Sequence, residues 1–192
     1  EPMGWEKTPA VWQIPEFGGR IQQPVPRGEA ALSYHHREAD FKAWYDTIPY
    51  SGTTHFPEDK LGFDVKMDIE VGLWLEFVIK HNDPANMLTR EWETYFNSGL
   101  DYTFPLGNGI NLLAEYFRYN NTDKLTAKGL TNNFTGVSVN YPFGLMNTIT
   151  AVVYYNWEPK EWSRFISLQR KYDYWSFYLM AFWNPDTYAI YS

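Results

Sequence analysis

Four histidines, His35, His36, His55 and His81, come first as carriers of chemistry, because imidazole serves as base, proton shuttle and metal ligand. His35 and His36 are adjacent, and neighbours on a strand point to opposite faces, so the two cannot chelate one ion together. Ser33 and His35 share a face and make the best nucleophile–base pairing in the chain. No activating carboxylate pattern or lipase motif accompanies them. Glu93 with Asp101, and Asp64 with Asp68, place carboxylates at even spacing, as acid–base pairs require. Carboxylates spaced in this way more commonly line a solvated surface. Gly107-Asn108-Gly109 lacks the strand–glycine–helix setting of a phosphate loop and reads as a turn. Asn120-Asn121-Thr122-Asp123 offers oxygens to calcium, but a solvated loop needs the same residues. The expectation is a protein without enzymatic activity, metal or cofactor.

Composition narrows the class. The 192 residues suffice for one domain with a sizeable core, so 1–192 is expected to be a single domain. Hydrophobic residues make up 44%, yet mean hydropathy is −0.47, and no run of about 18 apolar residues exists to cross a membrane as a helix. Aromatics reach 19%, with 9 Trp, 15 Tyr and 13 Phe, types that favour strands and membrane interfaces. The absence of cysteine excludes disulfides and thiolate chemistry. A net charge of −7 without a basic face argues against nucleic acid.

Patterning then supplies the elements. Every odd position from Leu61 to Ile79 is apolar, while Asp64, Lys66, Asp68, Glu70, Glu76 and Lys80 occupy even ones. Period two over that length excludes a helix. One strand of 20 residues would span about 66 Å, so the segment is expected to fold back at Ile69-Glu70-Val71-Gly72, pairing Met67 with Leu73 and Val65 with Leu75. The device recurs, with tight turns expected near 26, 70, 107, 144 and 172 and longer polar connections at 47–59, 83–90, 121–132 and 158–161. A phase change between Tyr34 and Ala39 predicts a bulge near His36. Five hairpins and about ten antiparallel strands follow.

Alternation alone does not say which face is inside. Expected strand lengths of about 9–11 residues suit a tilted membrane strand. Aromatics mark the ends of the apolar faces: Tyr102, Phe104, Tyr141 and Trp175 by the short turns, and Tyr45, Tyr155, Trp157, Trp162 and Trp183 by the long ones. The opposite faces are charged mid-strand, as a wet lumen allows. These features predict an all-β fold, an antiparallel transmembrane β-barrel with apolar faces toward lipid. The first strand runs toward the short-turn side and the last away from it, so two edges stay open. Further strands or copies of the chain are expected to complete a larger barrel.

The short-turn forms PVPRGE, DIEVGLW, FPLGNGI and YPFGLMN, each between alternating aromatic-ended strands, resemble those of porin-type outer-membrane β-barrel proteins of Gram-negative bacteria. The resemblance covers roughly residues 14–184. It implies an outer-membrane location, a cleaved signal peptide, termini in the periplasm and a pore for ions or small polar solutes. The strand directions depart from it, since both ends would lie on the long-loop side if the short turns are periplasmic, and the aromatic-ended terminal strand typical of such families is missing after Ser192. Its rivals are a plugged barrel that holds a partner such as an electron-transfer protein, and a soluble ligand-binding barrel.

Taking the polar face of each strand as lumen gives Glu38, Asp40, Lys42, Asp64, Lys66, Asp68, Glu76, Lys80, Glu93, Asp101 and Glu115 as lining residues. Acids dominate that set, and a low-dielectric wall focuses their field, so a mild preference for cations is expected.

Overall fold

The computed structural model describes residues 10–40, 55–82, 90–127 and 129–185. Ten strands alternate up and down: β1 (Phe17–Val25), β2 (Gly28–Asp40), β3 (His55–Asp68), β4 (Gly72–Asn82), β5 (Trp92–Phe104), β6 (Ile110–Thr122), β7 (Leu130–Phe143), β8 (Asn147–Asn156), β9 (Glu161–Lys171) and β10 (Ser176–Trp183). They form one sheet in sequence order. The expected class holds: all-β and antiparallel, with ten strands. Closure does not follow within the chain. Among the described residues β1 and β10 end the strand order and no ladder joins them, so the sheet is open.

All five tight turns fall where turn chemistry placed them. Arg27 and Glu70 adopt positive φ, 60° and 86°, in the first two, where a two- or three-residue reversal demands a left-handed residue. Glycine meets the same demand at Gly107 and Gly144. The strands run from 8 to 14 residues, so several exceed the expected length. β3 absorbs residues 55–59 from the connection expected at 47–59.

The bulge expected near His36 is absent from the β1–β2 ladder, which keeps one register from Val25↔Gly28 to Phe17↔His36. Ala39 misled the pattern because an apolar side chain there does not mark the outer face. It is fully buried and bridged to Ala10, and Val11 donates its N–H to the Glu38 carbonyl at 2.9 Å. The buried residues of β2, Ala31, Arg37 and Ala39, therefore share a single face.

The chain divides into two compact units. The first comprises residues 1–65, 76–95 and 119–130, the second 66–75, 96–118 and 131–192. Among the described residues of the first unit the buried hydrophobic ones are few and mostly small, Val11, Ala31, Ala39 and Phe56, and the buried polar ones are Arg37, Glu58, Asn82, Glu93 and Thr122. Meanwhile Leu32, Leu61 and Phe63 stand exposed on the opposite strand faces, as does Ile21 at 76%. This distribution inverts that of a soluble domain, where large apolar side chains leave water and charges keep it.

The second unit has no fully buried residue among those described. Its cohesion comes from long ladders, β7–β8–β9–β10, and from aromatic contacts. The ring of Tyr155 meets Trp157 at 4.9 Å and Trp162 at 4.5 Å at the end away from the short turns. Tyr102 meets Phe104 edge-on at 4.7 Å beside a short turn. Trp74 lies across Gly99, whose missing Cβ would stand 2.1 Å from the indole. Only glycine leaves room for that ring, which covers the neighbouring backbone.

Candidate functional site

Charge collects in one row across five strands of the first unit. Residues two apart on a strand share a face, so β3 presents Glu58 and Lys60 together, β4 Lys80 and Asn82, and β5 Glu93 and Tyr95. Arg37 comes from β2 and Tyr119 from β6. Arg37 Nε donates to Glu58 Oε1 at 2.6 Å, and Lys60 Nζ lies 2.8 Å from the same oxygen. Lys80 Nζ pairs with Glu58 Oε2 at 2.9 Å and with Glu93 Oε1 at 3.2 Å, tying the two carboxylates together. Asn82 Nδ2 donates to Glu93 Oε1 at 3.4 Å and to the Arg90 carbonyl at 3.3 Å. The Tyr95 and Tyr119 hydroxyls donate to Glu93 Oε2 at 2.6 and 3.4 Å, their rings 5.1 Å apart.

Such a row is tolerable out of water only because Glu58 meets three cations, and Glu93 a cation, an amide and two hydroxyls, at hydrogen-bonding distance. Both carboxylates are occupied by these partners, which makes the row a clamp joining β2 to β6. A second pair lies on the same face: Arg20 grips Asp64 through two bonds of 2.7 and 2.8 Å, the bidentate geometry in which guanidinium matches carboxylate.

Of the expected lining residues, Asp64, Lys66, Asp68, Glu76, Lys80, Glu93, Asp101 and Glu115 sit at the face positions of their strands that the alternation assigned. Lys80 and Glu93 belong to the charged row, and Asp64 holds Arg20. Asp101 approaches β4 at Gly72, where an added Cβ would come within 1.9 Å of Oδ1. Glu115 is exposed. Glu38 and Asp40 are different. They alternate with buried Arg37 and Ala39 and share the face of Leu32 and Tyr34, and Asp40 Oδ1 lies 3.9 Å from His55 Nε2. Lys42 falls outside the described residues.

Sequence reasoning missed Arg37, Glu58, Lys60, Tyr95 and Tyr119. Glu58 and Lys60 were legible by extending the even-face alternation back from Gly62. Arg37 was hidden by the expected bulge, which reversed its face. Ser33 and His35 are bonded elsewhere. Ser33 Oγ donates to the Gly62 carbonyl at 3.4 Å, and His35 Nε2 meets Glu16 at 3.1 Å. On the opposite face Asp59 Oδ1 accepts from Tyr34 at 2.6 Å and lies 2.8 Å from His36 Nδ1, with Phe17 stacked on that imidazole at 4.8 Å.

No protein-family model, curated protein or solved structure matches this chain.

Proposed function

We propose that the chain supplies ten strands to a bacterial outer-membrane β-barrel acting as a porin-like channel for passive diffusion of ions or small polar solutes. The observation that carries this reading is the inversion of polarity: Arg37 and Glu58 are buried, at 4% and 1%, while Ile21, Leu32, Leu61 and Phe63 are exposed. Lipid removes the penalty for exposed apolar side chains, and an inner face tolerates charge. The open edges at β1 and β10 are then met by further strands or by copies of the chain, since each unpaired backbone group in hydrocarbon costs several kcal/mol. Acids still outnumber bases on the inner faces of β1–β6 once Arg20, Arg37 and Lys60 join Lys66 and Lys80, so a mild cation preference remains. Selectivity would follow from width and charge.

A plugged barrel that holds a partner is the second reading. The charged row favours it, because Arg37, Glu58, Asn82 and Glu93 are buried and meet partners within the row. Conductance separates the two. Steps of reproducible size from purified protein in a planar bilayer support the channel, and an intact, detergent-extracted protein without conductance supports the plug. A monodisperse protein in plain buffer overturns both in favour of a soluble barrel.

A further inference from the structure

Strands β7–β10 carry Val137, Val139, Ile149, Ala151 and Leu179 on their outer face, with Arg164 and Arg170 of β9 among them. Their other face, which continues the alternation that carries charge elsewhere, has a different chemistry. The strand registers set its side chains in rows. Val152, Phe165 and Phe182 stand opposite one another across β8, β9 and β10. Toward the short turns the next row is Asn140, Thr150, Ser167 and Met180, followed by Pro142, Thr148, Gln169 and Tyr178. None of these side chains is charged.

The Phe165 and Phe182 rings lie 4.7 Å apart, and Gln169 Nε2 donates to the Tyr178 hydroxyl at 2.9 Å. Tyr154 closes the other side of the apolar row. Its ring lies over Gly136, where an added Cβ would stand 2.9 Å from the ring edge, and the residue is 53% exposed. Phe182 and Tyr178 are also exposed, at 62% and 50%.

We propose that this face binds a neutral saccharide. The proposal rests on reading the face as the inner one of a barrel, open or plugged. Rings beside amides and hydroxyls, without charge, match a solute that is itself uncharged, with an apolar C–H face and a fringe of hydroxyls. Three strands spaced by about 4.8 Å give the ring row a span of about 10 Å, room for two sugar rings. Charged solutes gain nothing here, because no counter-charge repays their lost hydration.

The test is titration calorimetry of the detergent-solubilised protein with a neutral trisaccharide of glucose and, in parallel, a trisaccharide of galacturonic acid. Binding of the first and not the second is expected, with Phe182→Ala and Gln169→Ala each weakening it by roughly tenfold, the loss of one ring or amide contact. Gln169→Ala changes a surface amide, which keeps the test independent of ring packing. Absence of heat with the neutral sugar, equal binding of the charged one, or indifference to both substitutions overturns the proposal. Conductance without sugar binding overturns it and leaves the channel standing, whereas sugar binding without conductance sustains it and removes the channel.

Discussion

Arg37 Nε donates to Glu58 Oε1 across 2.6 Å, and both side chains are almost wholly withdrawn from water. Their strands are neighbours in the sheet, and the contact fastens β2 to β3 far from any tight turn.

Breaking this pair is expected to be costly. Glu58→Ala removes the carboxylate shared by Arg37, Lys60 and Lys80, a loss of about 3–5 kcal/mol when one partner of a buried pair is removed. Arg37→Met combined with Glu58→Leu should cost less than the sum of the single changes, with coupling of about 0.5–3 kcal/mol. Urea unfolding in detergent, followed by the unboiled gel mobility of the folded form, measures all three. Additive single changes would show that the pair holds nothing together.

Neighbouring residues on β3 should answer oppositely to charge. Val65 lies on the apolar face and Lys66 on the polar one, so Val65→Arg should cost about 2–4 kcal/mol near the bilayer midplane and Lys66→Arg almost nothing. Folding titrations into lipid vesicles give both values. Equal costs would mean that lipid does not contact the odd face of β3.

Ion selectivity should respond to the acids of the inner face. A salt gradient across a planar bilayer is expected to give a reversal potential of cationic sign. Asp64→Asn, Asp68→Asn and Glu76→Gln together should move it toward anions. Asp64→Asn alone should act strongly, because it also frees the Arg20 guanidinium now held by two bonds. The preference should fade with salt as the Debye length falls from about 10 Å at 0.1 M to about 3 Å at 1 M. Anion preference in the unaltered protein would exclude these carboxylates as the source of the field.

Gly99 should tolerate no side chain without loss. Its Cβ would meet the Trp74 indole at 2.1 Å, so Gly99→Val should displace the ring and destabilise the fold by about 1–3 kcal/mol, the usual cost of overpacking. Near-UV circular dichroism and Trp emission report the displaced indole, and unchanged spectra with unchanged stability would show that the ring moves freely.

Strand number, the five tight turns and the face of most residues were legible in the sequence, because alternation and turn residues are local and each strand carries its own record of them. The apolar stripe from Leu61 to Ile79 with its reversal at Glu70 is the clearest example. Reading failed where a residue owed its place to a distant segment. Ala39 reads as an outer-face residue, yet it is buried and its backbone is bridged to Ala10, far from its own turn. Arg37 and Glu58 come from strands separated by a long connection, and nothing local predicts that a guanidinium and a carboxylate will meet out of water. The charged row and the neutral rows of β7–β10 exist only in the register between strands. A period of two determines which face a side chain takes, whereas cross-strand pairing, set by turns and packing together, determines its neighbours.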